Sequence, residues 1–359
     1  MPFPRFEYME FAKLDHGDKV RYPLSMSGFN LGDPDLLPVD TGAVRLMGPP
    51  GYGDPDVRAM IAARYAVPET HALPAAGTSM GIFLVAAALL EPGDRVLVEA
   101  PAYEPLIKVP AVFGAAVDRF ERRHDEGWVV DPARVAAAMT PQTKLIVVTN
   151  LHNPSGVKLS AEVEAALIAL ADAHGAVLFV DEVYRDFLDG PVGTAYRPGA
   201  PVVVASSLTK VYGMGGLRAG WLLGPPDLLE RAAKVVDMLY VNDPFTVLPY
   251  VKAAHAAAER LRARHLDLSR EGRDIVGAWM ARHPEMGWVA PDGGLCCFPR
   301  LPEGLSGRDV YRRLLDEEQT LIVPGQYFED DRHIRIGVGA GADVLSGGLA
   351  ALERLLARG

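Results

Sequence analysis

The sequence has few cysteines and no excess of positive charge. Only two of its 359 residues are cysteines, and they are adjacent, at Cys296-Cys297. Adjacent cysteines rarely bridge each other, so we predict no disulfide framework and a protein of the reducing cytoplasm. Lys and Arg number 36 against 46 Asp and Glu, which gives a net charge of -10. This balance argues against a nucleic-acid-binding protein.

Long apolar runs and metal-ligand patterns are also missing. The clearest apolar run, Gly81–Leu90, is too short to span a bilayer, and the first residues contain no stretch of signal-peptide type. We therefore expect a soluble cytoplasmic protein with no membrane partner. The nine histidines include no pair at His-x-x-x-His spacing, so we predict no metal site.

Short β-branched runs alternate with helical patterns through the middle of the chain. The runs are continuously apolar, which is typical of strands buried on both faces. Helices are predicted over 79–90 and 160–174, each beginning at a serine cap. This alternation predicts an α/β fold with a mostly parallel sheet. The predicted strands are Arg95–Val98, Lys144–Val148, Ala176–Val180, Pro201–Val204 and Trp221–Leu223.

The pattern changes after about residue 245. One or two long helices rich in Ala, Arg and Glu are predicted over 246–284, followed by short strands near 295–298, 320–323 and 333–336 and a helix at about 343–357. The chain length suits about two domains. We predict a large domain over 41–245 and a small α+β domain built from 1–40 and 246–359.

Polar side chains follow three of the predicted strands, and ligands of open α/β sheets bind at the carboxyl ends of strands. Lys210 is the most unusual of the eight lysines, because it follows a buried strand and lies between serines and glycines. A desolvated lysine becomes a nucleophilic amine that forms Schiff bases with aldehydes such as pyridoxal phosphate.

Pyridoxal phosphate needs three further features from a protein. These are a carboxylate for the ring nitrogen, donors for the phenolate oxygen and a cradle for the phosphate. Glycine at a helix start exposes backbone N–H groups that suit a phosphate. The candidates are Asp181 for the carboxylate, Asn153 with Tyr184 for the donors, and Ser207, Arg218 and Gly77-Thr78-Ser79 for the cradle.

These motifs resemble those of the class I/II pyridoxal-phosphate-dependent aminotransferases of fold type I. Ser207-Leu208-Thr209-Lys210 and Arg218-Ala219-Gly220-Trp221 are similar to the family's cofactor-lysine segment. Asn153-Pro154-Ser155-Gly156 and Asp181-Glu182-Val183-Tyr184 are similar to two further family motifs. The resemblance covers nearly the whole chain. It implies a large domain with a mostly parallel sheet of the seven-stranded type and a small α+β domain.

The resemblance also implies roles for individual residues. Lys210 would bind the cofactor aldehyde and then act as the general acid/base. Arg335 would bind the substrate α-carboxylate together with Asn153, and its guanidinium fork suits that task. Gly28 would lie in the segment that closes over the substrate. The implied cofactor-binding residues are Gly77, Thr78, Ser79, Tyr103, Asn153, Asp181, Tyr184, Ser207, Lys210 and Arg218.

The implied activity is transfer of an amino group from an L-amino acid to a 2-oxo acid by a ping-pong mechanism. The family is typically homodimeric, with sites shared between subunits. Many relatives carry a tyrosine that contacts the neighbouring subunit's phosphate, and Gly48 stands at that position here. Tyr52 is the candidate replacement for that tyrosine. Loop aromatics that suggest an apolar or broad substrate pocket are Tyr22, Phe29, Tyr103, Tyr212 and Tyr327.

Three alternatives stay open on the sequence. A carbon–sulfur β-lyase would use the same cofactor residues. A serine hydrolase would use Ser207 and Lys210 as a Ser-x-x-Lys pair, but no lysine is followed by Thr-Gly or Ser-Gly to complete that pattern. A dinucleotide-dependent dehydrogenase fits a parallel sheet, but no Gly-x-Gly-x-x-Gly follows an early strand.

Overall fold

The computed structural model describes residues 3–14, 16, 19–29 and 37–358. Eleven of its twelve strands follow residue 70, and helices separate most of them. The strands are β1 (Tyr22–Pro23), β2 (Ala72–Ala75), β3 (Arg95–Ala100), β4 (Ala116–Glu121), β5 (Thr143–Thr149), β6 (Val177–Asp181), β7 (Val202–Ser207), β8 (Gly220–Leu223), β9 (Cys296–Cys297), β10 (Thr320–Leu321), β11 (Val323–Pro324) and β12 (Ile334–Gly337).

Four of the eleven α-helices in the described residues begin after a residue whose side chain caps them. Ser160, for example, caps its helix as predicted, because its Oγ accepts a hydrogen bond from Val163 N at 3.2 Å. The α-helices are α1 (Glu7–Phe11), α2 (Pro55–Tyr65), α3 (Thr78–Leu89), α4 (Glu104–Val112), α5 (Pro132–Ala138), α6 (Ala161–Ala173), α7 (Pro226–Leu239), α8 (Leu248–Ala256), α9 (Ala258–Met280), α10 (Gly307–Glu318) and α11 (Ala342–Leu356).

A seven-stranded sheet forms the centre of the fold, in the order β2-β8-β7-β6-β5-β3-β4. The strands from β4 to β7 pair in parallel, whereas β8 is antiparallel to both of its neighbours. The predicted α/β fold with a mostly parallel sheet is therefore confirmed. All five strands predicted in this region exist, and each extends by one to three residues beyond the prediction at one end or both.

Alternate residues of each central strand point into two different apolar clusters. In β3, Val96 and Val98 pack into one cluster, together with residues of α3, α4 and α7. Leu97 packs into the other cluster, on the opposite face, with residues of α6 and α9. The sheet is thus covered on both faces, which explains why its strands are continuously apolar in sequence.

Two small sheets lie outside the central one. Strand β1 pairs in parallel with β10, and β11, β12 and β9 form an antiparallel sheet. No described residue before 41 lies in the seven-stranded sheet. This distribution agrees with a large domain over 41–245 and a small one from 1–40 and 246–359, although those boundaries stay a prediction.

The predicted helices form, with one difference at a cap. The segment 246–284 forms the two helices α8 and α9, because Ala257 leaves the helical conformation between them. Ser79 is not the cap of α3, which begins one residue earlier with Gly77 as its N-cap. Gly77 has φ of +84°, a conformation that glycine adopts without strain. Within the described ranges, we find no helix with the length and apolar character needed to cross a membrane.

Candidate active site

A cavity of about 790 Å³ opens at the carboxyl ends of β5, β6 and β7. Parallel strands end at the same edge of a sheet, so residues distant in sequence meet there. Gly77 lies against Arg218, and Arg335 donates a hydrogen bond to Asn153. Both of these partners line the cavity. The remaining predicted site residues all line it: Gly28, Thr78, Ser79, Tyr103, Asn153, Asp181, Tyr184, Ser207, Lys210 and Arg218.

Lys210 extends from the turn after β7 into this cavity. Its Nζ donates a hydrogen bond to Ser27 Oγ at 2.9 Å, and Gly28 lies against its side chain. A Cβ at Gly28 would lie 3.1 Å from Lys210 Cδ, so glycine permits this close approach. Burial lowers the pKa of the Lys210 ammonium below its ordinary value, and the positive charge of Arg335 lowers it further. A larger fraction of this amine is therefore neutral and nucleophilic.

Asp181 is the last residue of β6 and is buried. Its Oδ1 accepts a hydrogen bond from Val183 N at 3.0 Å. Burial raises the pKa of this carboxyl to about 7, against the effect of the Val183 hydrogen bond and of Lys210. A carboxylate that is costly to ionise alone is stabilised by a cationic partner, which a protonated pyridine nitrogen would supply.

The start of α3 and the side chain of Arg218 form an anion cradle. Arg218 Nη2 donates to Ala76 O at 3.2 Å, and a Cβ at Gly77 would lie only 2.5 Å from that nitrogen. Thr78 Oγ1 is buried and has no hydrogen-bond partner among the described residues. The backbone N–H groups at the start of α3 add further donors. This donor set suits a phosphate.

Tyr103 and Tyr184 both line the cavity. Tyr103 precedes α4, and its phenol contacts the hydroxyl of Ser79 and donates to Met9 Sδ at 3.2 Å. Tyr184 donates a hydrogen bond to Ser27 O at 2.8 Å. Burial raises the pKa of both phenols above their ordinary value, so both hydroxyls remain protonated donors at neutral pH.

Arg335 lies on β12, fully buried behind the cavity wall. Nη1 donates to Asn153 Oδ1 at 3.1 Å, and Nη2 donates to Tyr8 OH at 2.9 Å and to Ser25 O at 3.1 Å. Its Nε has no partner among the described residues. No carboxylate pairs with this guanidinium there, so it is suited to bind the carboxylate of a ligand.

Sequence reasoning missed a buried charged pair beneath the cavity. Glu99 of β3 pairs with Arg122 at 2.9 Å and accepts hydrogen bonds from the backbone and side chain of Thr149, at 2.7 and 2.5 Å. Thr149 Oγ1 in turn accepts from Asn153 N at 3.2 Å. The signal was present in the sequence, because Glu99 interrupts an otherwise apolar strand.

Three of the five loop aromatics do not contribute to the pocket. Phe29 and Tyr103 line the cavity. Tyr212 instead donates to the buried carboxylate of Asp186 at 2.6 Å, and Tyr327 packs on Phe11 with ring centroids 4.9 Å apart. Tyr22 lies in β1, also away from the cavity lining. The expectation that these three line the substrate pocket is therefore wrong, since each has another partner or position in the fold.

Tyr52 lies outside the cavity lining and is partly exposed. Its hydroxyl donates to Asp237 Oδ2 at 2.7 Å, which joins the loop before α2 to the end of α7. The cross-subunit contact expected of Tyr52 stays a prediction.

The residues present fit pyridoxal phosphate. The cavity combines a half-buried lysine, a buried carboxyl, a cradle of donors with the Thr78 hydroxyl, which has no partner among the described residues, and the aromatic ring of Tyr103. Across the described part of the chain, no group of three or more His, Cys, Asp or Glu side chains is arranged to hold a metal ion. Cys296 and Cys297 are both buried and free.

Comparison with known proteins identifies the family of this chain. A model described as "Aminotransferase class I and II" matches residues 40–345. The chain is 32% identical over 365 residues to arginine–pyruvate transaminase AruH of Pseudomonas aeruginosa, covering 94% of this chain and 90% of that protein. It is 31% identical over 316 residues to capreomycidine synthase of Streptomyces vinaceus, covering 86% and 80%.

A similar fold is found among solved structures. The crystal structure of a PLP-dependent aminotransferase from Streptococcus suis matches with a TM-score of 0.88 and 24% sequence identity. The match covers 100% of this chain and 99% of that one. Both the central sheet and the small sheets therefore have counterparts in a fold type I structure.

Proposed function

Because the chain belongs to the class I and II aminotransferase family, we propose that the cavity around Lys210 is where it binds pyridoxal 5′-phosphate and transfers an amino group. The protein is a PLP-dependent aminotransferase, and its substrates are an amino acid and a 2-oxo acid. The observation that carries the assignment of the site is the placement of a half-buried lysine, whose amine has a lowered pKa, and a buried carboxyl in one cavity.

The side chains divide the work as follows. Pyridoxal phosphate supplies an aldehyde carbon and an electron-withdrawing ring. Lys210 Nζ would hold that aldehyde, and its amine would carry the proton at the substrate Cα. Asp181 would keep the ring nitrogen protonated, and Asn153 and Tyr184 would donate to the phenolate oxygen. Gly77, Thr78, Ser79, Ser207 and Arg218 would hold the phosphate, and Tyr103 would contact the ring.

Arg335 orients the substrate through its α-carboxylate, with Asn153 beside it. The amino acid leaves as a 2-oxo acid, and a second 2-oxo acid enters the same subsite and reverses the steps, which is a ping-pong mechanism. The names of the relatives favour aminotransferase activity over β-lyase activity. A lyase would release pyruvate and ammonia from a cysteine conjugate without any 2-oxo acid acceptor.

We propose that the substrate side chain is apolar. The described cavity lining outside the cofactor set is mostly apolar, and its lysine is Lys13. The apolar members include Met9, Phe11, Leu14, Ile82, Leu321 and Val323. Asp181 is the only carboxylate among the described lining residues, and it would pair with the ring nitrogen of the cofactor. An arginine side chain would therefore find no acidic partner among the described lining residues, although arginine is named for the Pseudomonas aeruginosa relative.

A substrate panel tests this assignment. Leucine, phenylalanine, arginine and aspartate would be compared as donors, each with pyruvate and with 2-oxoglutarate as acceptor. We expect leucine or phenylalanine to give the highest kcat/KM. Faster turnover of arginine would instead indicate that this protein has the amino-acid specificity named for the relative. It would overturn the proposal that the substrate side chain is apolar.

We propose a homodimer as the working form. Large apolar side chains are exposed on the loop before α2 and at the end of α7, and the Tyr52–Asp237 hydrogen bond joins these two segments. Exposed apolar patches of this kind mark protein contacts. The side chains are Leu46, Met47, Met238 and Val241. Sedimentation equilibrium should give twice the mass of the chain, and Met47→Lys combined with Met238→Lys should shift it toward the monomer.

We also propose that the enzyme acts in the cytoplasm. Both cysteines are free thiols, and free thiols persist in a reducing compartment. Cell fractionation with activity assays would test this location.

A further inference from the structure

Helix α1 brings an unassigned side chain to the subsite of Arg335. Tyr8 is buried, lines the cavity and accepts a hydrogen bond from Arg335 Nη2 at 2.9 Å through its hydroxyl. Its ring lies edge-on to Tyr103, with centroids 5.8 Å apart, and the Arg335 guanidinium lies 5.4 Å from its centroid. Tyr8 therefore contacts both the arginine that would bind substrate and the aromatic that would stack on the cofactor.

The two Nη groups of Arg335 differ in how many of their protons are already used in hydrogen bonds. Both protons of Nη2 are used, by Tyr8 OH and by Ser25 O. Nη1 uses one proton for Asn153 Oδ1 and keeps one. A carboxylate that approaches the Nη1 and Nη2 edge therefore finds a single free proton on Arg335 rather than the usual pair.

The Tyr8 hydroxyl can supply the missing donor. It acts as an acceptor toward Arg335, and no described residue accepts its proton. That proton remains available to a carboxylate oxygen next to Nη1. A phenol that accepts from a guanidinium is polarised, which strengthens its own donation.

Tyr8 is held in this position from outside its own helix. The carboxylate of Glu104 accepts from Glu7 N at 2.8 Å and from Tyr8 N at 2.9 Å. Lys108 Nζ lies 2.7 Å from Glu104 and donates to Arg5 O at 2.6 Å. Glu104 directly follows Tyr103 in the chain. The segment that carries the proposed ring-contacting residue Tyr103 therefore also positions α1.

We propose that Tyr8 is a substrate-binding residue, whose hydroxyl donates to the α-carboxylate of the amino acid and of the 2-oxo acid alongside Arg335. The inference rests on the proposed function, because it assigns Arg335 to that carboxylate. Since both substrates of the ping-pong cycle carry the group, Tyr8 serves both halves of the reaction.

Tyr8→Phe tests this inference in the holoenzyme, because it removes the hydroxyl and keeps the ring. The loss of one hydrogen bond to a charged group should raise KM for both the amino acid and the 2-oxo acid about tenfold. We expect kcat to stay within about twofold and the cofactor absorbance to be unchanged. The dissociation constant of hexanoate, a carboxylate that does not react, should also rise about tenfold when measured by calorimetry.

Tyr327→Phe is the matched control. Tyr327 also packs against the Tyr8 ring, with ring centroids 6.0 Å apart, but does not line the cavity. Removal of the Tyr327 hydroxyl should leave the dissociation constant of hexanoate unchanged. Hexylamine, which has no carboxylate, should react with the cofactor at the same rate in wild type and Tyr8→Phe.

Unchanged hexanoate affinity in Tyr8→Phe would overturn the inference, even if the melting temperature fell. Failure of the wild type to bind hexanoate would overturn it as well. Failure of the proposed function gives a different result, because amino transfer would then be absent from the wild type while the calorimetric comparison would still report on Tyr8.

Discussion

The guanidinium of Arg335 and the side-chain amide of Asn153 are joined by a hydrogen bond of 3.1 Å, although 182 residues separate them in the chain. Asn153 follows a strand of the central sheet, whereas Arg335 lies on β12 of a small sheet. The contact therefore connects the region proposed to hold the cofactor phenolate with the region proposed to hold the substrate carboxylate. Substitution of either residue is expected to affect substrate orientation.

Arg335→Lys should reduce kcat/KM for carboxylate substrates by about 100-fold. A lysine keeps the charge but loses the planar fork, and two or more charge-assisted hydrogen bonds are lost together. Steady-state kinetics with several amino acids measures the change. Arg332→Lys is the control, since the Arg332 side chain is 74% exposed, and it should behave as wild type. Equal losses in both variants would contradict the role of Arg335.

Gly77→Ala should weaken cofactor binding. An added Cβ would lie 2.5 Å from Arg218 Nη2 and would displace that side chain from the cradle. Gly93→Ala is a close control, because Gly93 also has positive φ, at +98°, but open space around it. Backbone strain of about 1 kcal/mol should then be common to both variants, and only Gly77→Ala should raise the Kd of pyridoxal phosphate in a titration. Similar Kd values for the two variants would show that the cradle does not depend on this contact.

Asp181→Asn should stabilise the cofactor-free protein at high pH. Burial raises the folded-state pKa of Asp181 to about 7 from an ordinary value of 3.8. The folded state therefore binds the proton more tightly, and this stabilisation is lost as pH rises from about 4 to about 7. The gain in unfolding free energy from Asp181→Asn should be about 3 kcal/mol larger at pH 8 than at pH 5.

Denaturant unfolding of the cofactor-free protein at the two pH values measures this difference. Asp227→Asn is the control, because its side chain is 80% exposed and should show no comparable pH dependence. A pH-independent effect of Asp181→Asn would mean that the carboxyl ionises normally in the folded state. Asp181→Asn should also lose transamination activity, since an amide does not hold the ring nitrogen protonated.

Glu104→Gln should loosen helix α1. The carboxylate accepts two backbone hydrogen bonds from this helix, and the neutral amide cannot replace both at equal strength. Hydrogen exchange of the amides of Glu7–Phe11 should become about tenfold faster. Glu10→Gln is the control, since Glu10 pairs with Arg5 at the surface. Unchanged exchange in Glu104→Gln would show that other contacts position Tyr8.

The sequence predicted the strands whose residues are apolar on both faces, and it missed the two at the ends of the sheet. Strand β4 carries charged residues, including Asp118 and Arg119, because it pairs with only one neighbour. Strand β2 contains Pro74, which is tolerated at a sheet edge. The cofactor motifs were found because they follow β5, β6 and β7, which are neighbours in a parallel sheet.

Contacts between distant segments could not be predicted. Tyr8 lies in a helix of five residues, too short for a periodic signal, and its partner Arg335 lies 327 residues away. The support from Glu104 is equally non-local, since 96 residues separate it from Tyr8. Glu99 was visible as a charged residue in an apolar strand, but its partner Arg122 was not, because no local pattern specifies that pairing.

The attachment of the cofactor tests the central claim most directly. The holoenzyme would be treated with borohydride, which reduces the carbon–nitrogen bond between the aldehyde and its lysine to a stable amine, then digested and analysed by mass spectrometry. We predict that the cofactor mass is found on the peptide containing Lys210 and on none of the seven other lysines, and that Lys210→Ala carries no label. A label on another lysine, or full transamination activity in Lys210→Ala, would contradict the account.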